Sequence, residues 1–396
     1  MNVNLIERER RFCFDYFYDN FDKAPETFGL THDKFPTKHN DCSVAANGFM
    51  LAAMAVGADF GYISRDEAEG ICIKALKTHE RLETKKGFYY HFYNMWDGLR
   101  ARYSELSIID TALFLAGALT AGGFFGGETL ELARKLYLRC DWEYFYCKDK
   151  KFFRMAEFDK GFDGYWDVYA EQLIMYFLAA GSPSGQNIAL EAYRSFKRLE
   201  GEYGGYKFIY GWFGSLFNHQ FSHAFIDFKG TKDEFGTDWF ENSVKATLAN
   251  RAFCMDNANV HKGYGKDGWG LTSCQTRDGY KGHIGAPPSG NGNTENVAEG
   301  TIPPCGALGS MPFTPNESIS ALNHFYSKPE LVGKYGLKDA YNEGQGWYSD
   351  CYISIDKGVT LLMLANYERQ TVWRSFCSLP EIKTAFKTLQ FKKENI

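Results

Sequence analysis

Three carboxylates fall at four-residue steps in the stretch FDGYWDVYAEQLIMYFLAAG, at Asp163, Asp167 and Glu171, with Tyr165, Trp166 and Tyr169 among them and an aliphatic run behind. Acidic residues at the start of a helix are favoured by its dipole, which accounts for Asp163 and Asp167 without any chemistry. Glu171 lies deeper. Among rings and aliphatics the charged form of a carboxyl is disfavoured, and a carboxyl kept protonated near neutral pH can serve as a general acid. In SDCYISIDKGVTLLMLANY, Asp356 follows an alternating run and precedes Gly358, so it reads as a cap of the next helix or as a second reactive carboxylate. Glu105 and Asp110, in RYSELSIIDTALFLAG, stand at the start of a strongly apolar helix, where a plain N-terminal charge is the simpler reading. Two carboxylates across a sugar-sized cleft are the minimum equipment for glycoside hydrolysis: one protonates the leaving oxygen and the other activates water or attacks directly.

A second polar stripe lies in GWFGSLFNHQFSHAFIDF, where His219, His223 and Asp227 are four residues apart and Phe217, Phe221, Phe225 and Phe228 form a neighbouring apolar stripe. The spacing fits a buried helix with its histidines bonded inside the fold, a helix aiming polar groups at a substrate, or a zinc pair. No third ligand at a zinc-like spacing accompanies the pair, so no metal is expected. GYGKDGWG satisfies G-x-G-x-x-G through Gly263, Gly265 and Gly268, but no β-branched strand precedes it and no helix follows, so no dinucleotide cofactor is expected either. There is no P-loop, H-E-x-x-H or G-x-S-x-G, which removes nucleophilic-serine and metalloprotease readings.

These groups need a scaffold, and the chain of 396 residues is long enough for one large core or two domains. A net charge of -5 gives no reason to expect nucleic acid or an anionic membrane as partner. No apolar run approaches the roughly 20 residues of a membrane span. MNVNLIERERRFCFDYF turns charged within its first eleven residues, which leads to the expectation of a cytoplasmic protein without a leader. Ten cysteines are scattered singly, as expected of small core residues in a reducing compartment. Aromatic residues make up 17% of the chain, many beside Gly and Asn, and flat rings of this kind fill a core or stack on sugars. No heptad seam or open strand edge speaks to the oligomeric state.

Amphipathic or apolar periodicity predicts helices near 4–20, 43–61, 64–84, 104–121, 127–147, 166–180, 186–199, 211–228, 237–257, 315–326, 328–336, 358–368 and 378–387. Ser64 and Glu67 form a capping-box signature. FYYHFY and the stretch from Tyr146 to Trp166 suggest short hairpins, and 258–314 is rich in Gly, Pro, Asn and Thr without period. About a dozen helices in short-turned hairpins, interrupted by aromatic and Gly-rich loops, imply an all-α fold, the (α/α)6 toroid, as a single domain over 1–396 with its loops shaping a cleft. An open α-solenoid is the rival arrangement.

The ordered blocks SVAANGFMLAAMAVGADFGYISRDEA, SELSIIDTALFLAGAL, WDVYAEQLIMYFLAAGSP, GWFGSLFNHQFSHAFIDF, WFENSVKATLANRAF, KGYGKDGWGLTS and YISIDKGVTLLMLANY resemble the glycoamylase-like family of (α/α)6-barrel proteins, which includes bacterial endo-β-1,2-glucanases and sophorose-releasing enzymes. The likeness runs from about residue 10 to about residue 375. It implies an inverting, metal-free hydrolase of β-1,2-glucan or its oligosaccharides, with Glu171 as general acid and Asp356 as general base acting through water and a substrate hydroxyl. Glu105, Asp110, His219, His223, Asp227 and Glu241 match cleft-lining positions, and Trp166, Asp167 and Trp269 in the same blocks are taken as further substrate-binding residues. On this reading the histidine stripe bonds sugar hydroxyls while the phenylalanines pack the barrel. The alternatives are a hydrolase of another β-linked glycan, a sugar epimerase using His219 and His223 as bases, and a protein that binds oligosaccharide without cleaving it.

Overall fold

The computed structural model describes residues 4–24, 27–37 and 39–393. Its helices, in chain order, are α1 (Leu5–Asn20), α2 (Val44–Asp59), α3 (Arg65–Arg81), α4 (Ile108–Phe125), α5 (Gly127–Leu138), α6 (Leu173–Gly181), α7 (Gln186–Ser195), α8 (Phe221–Phe225), α9 (Trp239–Asp256), a distorted turn α10 (Gly290–Asn293), α11 (Pro304–Leu308), α12 (Pro315–Tyr326), α13 (Ser354–Arg369), α14 (Thr371–Cys377) and α15 (Pro380–Thr388).

Two kinds of helix alternate. α2, α4, α6, α8, α11 and most of α13 are buried all round, whereas α1, α3, α5, α7 and α12 bury one face and expose charged residues on the other. A helix apolar on every side belongs in a core, and a one-faced helix belongs around it. The packing follows: α2 touches α4, α4 touches α6, α6 touches α8, α8 touches α13, and α13 returns to α2, with α11 also on α13. The outer helices lie against their inner neighbours, α3 on α2 and α4, α5 on α4, α7 on α6, α1 on α2 and α13, and α12 on α11. This is the expected (α/α)6 toroid, with α14 packed across α2, α4, α8 and α13.

The α2–α4 crossing sets the tightest tolerance. A Cβ placed on Gly117 would lie 1.8 Å from the carbonyl oxygen of Gly48, and one on Gly48 would lie 2.4 Å from that of Leu113. Backbones approach this closely only where neither helix carries a side chain. α4 is also 18 residues long and apolar enough to cross a bilayer by length and composition, contrary to the expectation that no segment would be. Its apolarity has another cause, because 78% of that window is buried inside the protein.

Element boundaries differ from the periodicity where a loop contact intervenes. The helix expected at 104–121 starts at Ile108, because Leu106–Ser107 pair as a strand with Glu157 and Ala156. The one expected at 166–180 starts at Leu173, because Asp167 and Tyr169 bond to the backbone of Lys197 instead. The segment 211–228 is broken into a 3-10 turn, Leu216–His219, and α8, and 328–336 is a 3-10 turn followed by a tight hairpin. α11 and α14, of five and seven residues, are too short to show a period. The strands of FYYHFY pair elsewhere, Phe88–Tyr89 with Thr84–Lys85 and Phe92–Asn94 with Asp41–Ser43. Tyr146–Cys147, Phe152–Phe158 and Gly161–Tyr165 do form the expected antiparallel run. All ten cysteines are unpaired, nine of them buried.

Two glycines separate packing from propensity. Gly117→Ala is expected to lower stability by about 2 kcal/mol or more through overpacking. Gly70→Ala, in α3 with nothing near its missing Cβ, is expected to raise it by about 0.5–1 kcal/mol through helix propensity. Denaturant melts of the two variants check this, and equal effects would contradict the close crossing.

Candidate active site

The N-terminal ends of the inner helices converge on one cleft of about 850 Å³. Its lining includes Ala45 in the first turn of α2, Asp110 in that of α4, Glu171 just before α6, Phe221 at the start of α8, and Ile355 and Asp356 in the first turn of α13. The loops add Phe92, Met155, Trp166, Phe213, Phe217 and Tyr280, so the cleft combines carboxylates with flat rings.

Glu171 is held through its backbone. The Ser222 hydroxyl on α8 donates to the Glu171 carbonyl at 2.5 Å and accepts from the Ile174 amide at 3.0 Å, tying the start of α6 to α8. The Gln172 side chain donates to the Val168 carbonyl at 2.8 Å and fixes the preceding turn. Burial then pushes the Glu171 carboxyl up to about 7, with the charge of Asp110 adding to the shift. It is therefore largely protonated at slightly acid pH and can still give its proton up near neutrality.

Asp356 occupies the first turn of α13, following the short strand Tyr352–Ile353, which pairs with Lys34–Phe35. Ile353, not Asp356, takes the N-cap position, and no side chain caps the helix. The cap reading of Asp356 thus fails. Its carboxyl is buried, one oxygen has no hydrogen-bond partner among the described residues, and burial followed by the charge of Asp339 lifts it well above the usual carboxylate range.

A third cluster spans the cleft wall. Glu105 immediately precedes the strand Leu106–Ser107, and Asp110 accepts from the Ser107 hydroxyl at 2.6 Å while Ser107 caps α4 by accepting from the Asp110 amide. His91 joins them, with Nδ1 at 2.8 Å from Glu105 and Nε2 at 3.6 Å from Asp110. Burial alone would lower the imidazole, but Asp110, Glu105 and Asp33 outweigh it and raise His91 to about 9. Glu105, disfavoured as an anion by burial, is nevertheless held below its ordinary value by His91. The ligand atoms of these three residues lie within 4.8 Å of one another and could hold a cation, but both imidazole nitrogens already face carboxylates and the charged histidine satisfies them.

Of the residues expected in the cleft, Glu105, Asp110, Trp166, Glu171 and Asp356 line it. His219 and His223 do not. The break between the 3-10 turn and α8 aims them into the core, His219 against Tyr169 and Phe208, and His223 at 3.0 Å from the Ser243 hydroxyl among Phe228, Phe240 and Phe313. Burial lowers both to about 3, so they are neutral core groups. The phenylalanines take the place assigned to the histidines: Phe217 and Phe221 face the cleft with ring centroids 5.2 Å apart.

Four other expected residues lie elsewhere for local reasons. Asp227 follows α8 and accepts from the Lys229 amide in a turn. Glu241 is in the first turn of α9, where Asp238 caps its amide, and lines a separate surface groove. Trp269 is fully buried in a second apolar cluster with Leu271, Ile302 and Tyr341. Asp167 pairs with Lys197 at 3.7 Å on the surface. Asp163 is exposed on the strand Gly161–Tyr165.

The cleft also holds residues the sequence did not single out: Asp33, Lys34, His91, Arg102, Gln275 and Tyr280. They come from two- or three-residue strands and turns, which leave no periodic signal. Gln275 and Tyr280 lie on the hairpin Cys274–Thr276/Gly279–Lys281, and this gives the Gly-rich segment a place at the cleft. Lys34 donates to the Gln275 side chain at 2.8 Å, and Arg102 lies over the Phe92 ring at 4.5 Å while pairing with Asp41.

The fold is an α/α toroid with carboxylates gathered at the inner helix N-termini, and sequence comparison places it in a family. The family model Glycoamylase, described as "Putative glucoamylase", matches residues 163–380, more than half of the chain. The chain belongs to this glycoamylase-like family. It is 25% identical to an exo β-1,2-glucooligosaccharide sophorohydrolase (non-reducing end) of Parabacteroides distasonis, over 98% of this chain and 58% of that protein. The chain thus spans somewhat more than half the length of that curated relative. Among solved structures, an endo-β-1,2-glucanase from Chitinophaga pinensis in complex with sophorotriose and glucose superposes with a TM-score of 0.86 at 27% identity, covering 98% of both chains. A "putative glucoamylase" from Bacteroides uniformis superposes with a TM-score of 0.89 at 26% identity, covering 99% of this chain and 98% of that one.

The histidines supply a test that needs no substrate. In ring-carbon NMR titrations His91 should stay charged until the pH nears about 9, whereas His219 and His223 should stay neutral as the pH falls toward about 3. By linkage, the His91 contribution to stability is present below its ordinary value of 6.5 and lost as pH rises through about 9. The contribution of the two core histidines is present above 6.5 and is lost as pH falls from there toward about 3. Titration of His219 or His223 near 6.5 would contradict their burial.

Proposed function

We propose that this chain is an inverting glycoside hydrolase acting on β-1,2-linked glucose chains, with Glu171 as general acid and Asp356 as general base. One observation carries the reading: two carboxyls, each lifted from the ordinary carboxylate range by burial, share a sugar-sized cleft walled with aromatic rings. The linkage rests on the activities of the relatives, a sophorohydrolase and an endo-β-1,2-glucanase.

The chemistry follows from the environments. Glu171, protonated in part up to about 7, gives its proton to the glycosidic oxygen as the bond to the anomeric carbon breaks. Asp356 removes a proton from the attacking water, directly or through a substrate hydroxyl as the family resemblance implies, and the hydroxide adds to the anomeric carbon. Phe217, Phe221, Trp166 and Tyr280 offer flat faces to sugar rings. The cluster of Glu105, Asp110 and His91 offers acceptors and a donor to hydroxyls. The reading uses no metal or cofactor. An epimerase would need a base in the cleft, and His219 and His223, which would have supplied it, lie buried outside.

Incubation with linear β-1,2-, β-1,3-, β-1,4- and β-1,6-glucans and with short β-1,2-glucooligosaccharides, followed by NMR, should show cleavage of the β-1,2 series and an α-anomer first. Glu171→Gln and Asp356→Asn should each lower kcat by about 10³-fold or more with the thermal transition retained. Binding of β-1,2-glucooligosaccharide without any product would replace the hydrolase by a binding protein, and an initial β-anomer would exclude inversion.

A further inference from the structure

Asp339 has so far entered only through its charge, which lifts the Asp356 carboxyl. It lies behind Asp356, in the turn between strands Gly336–Leu337 and Tyr341–Asn342, and is 6% exposed. Its backbone amide donates to the Cys351 carbonyl at 3.0 Å, and its Oδ2 accepts from the Gln275 amide at 2.7 Å. These bonds pin it from two directions. The other oxygen, Oδ1, is buried with no partner among the described residues, and so is Oδ2 of Asp356.

Both carboxyls line one small cavity of about 20 Å³, together with Cys305, Leu308, Leu337 and Lys357. The surrounding charges do not neutralise the pair. Lys357 is committed to Glu9 at 2.8 Å, and Lys34 donates to the Gln275 side chain. Lys34 and Lys357 both favour the Asp339 anion, whereas Asp33 opposes ionisation of Asp356. Cys274, Cys305 and Tyr280, the other titratable groups facing the pair, have their own charged forms disfavoured by burial and so stay neutral. Two adjacent buried carboxylates without a dedicated cation are costly, and one proton held between them removes that cost while satisfying both orphan oxygens.

We propose that Asp339 is a positioning residue that shares a single proton with Asp356, so that the pair carries one negative charge in the resting protein. The inference rests on Asp356 being the base. The surrounding charges bias the shared proton toward Asp356 at rest, and as Asp356 takes the proton of the attacking water it passes the shared proton to Asp339, whose hydroxyl then hydrogen-bonds Asp356. The proton gained by Asp356 leaves afterwards through the cleft. Asp339 thereby sets the orientation of the base and the pH at which it works.

Infrared difference spectroscopy in a Glu171→Gln background, which removes the other protonated carboxyl of the cleft, tests the shared proton without needing turnover. A carboxylic-acid carbonyl band that persists at neutral pH is expected, and it should vanish in both Asp339→Asn and Asp356→Asn added to that background. No such band, or a band surviving both substitutions, would overturn the proposal. Because this readout does not depend on cleavage, its failure is distinguishable from failure of the hydrolase reading. With Glu171 intact, Asp339→Asn should move the acid limb of kcat/KM up by about one pH unit or more, since it removes the proton-sharing partner that stabilises the single negative charge of the pair. A merely structural Asp339 would lower the rate at every pH and leave the limb in place.

Discussion

An inner ring of helices that is apolar on every side leaves polarity only one place to go, the helix ends. α2, α4, α6 and α13 bury their central turns completely, so charged groups along their length would have no partner and no water. At the N-termini the first amides are unsatisfied by the helix itself and carry the positive end of its dipole, which favours serine caps and carboxylates. Ser43, Ser107, Asp110, Glu171 and Asp356 stand at or beside these ends. The cleft is where the ends meet, and its dry, ring-lined walls work against the dipole by disfavouring charge. Burial prevails at Glu171 and Asp356, whereas at Glu105 the charged His91 keeps the carboxylate ionised. One architecture thus yields carboxyls of two kinds within a single cavity.

Much of this was legible in the chain itself. Long periodic segments gave helices close to their observed places, and the segment that forms α4 read as a strongly apolar helix. Glu171 stood out because it is set among rings and aliphatics, although α6 starts at Leu173 and so puts it at the helix's N-terminal end and not deep within it. What was not legible belongs to short elements. His91, Gln275 and Asp339 sit on strands or turns of a few residues, where register with a partner strand, distant for Cys42 with Tyr93 and local for Gln275 with Tyr280, decides what a side chain faces.

The stripe from Gly211 to Phe228 shows how a correct period can still assign the wrong face. Four-residue spacing grouped His219, His223 and Asp227 on one side, but the backbone changes from a 3-10 turn to an α-helix at Gln220. That change rotates the two parts relative to one another and turns the histidines toward Tyr169, Ser243 and Phe313, leaving Phe217 and Phe221 on the cleft. Polarity alone therefore misjudged the site. A sugar ring has apolar faces as well as hydroxyls, and a cleft that binds one needs rings as much as donors.

The most direct test of this arrangement is a crystal structure of the Glu171→Gln variant soaked with a β-1,2-glucooligosaccharide. A chain lying in the 850 Å³ cleft, with a glycosidic oxygen beside residue 171, a water near Asp356 and sugar faces on Phe217 or Phe221, is the predicted result. Sugar bound instead in the surface groove beside Glu241, or in contact with His219 and His223, would contradict it.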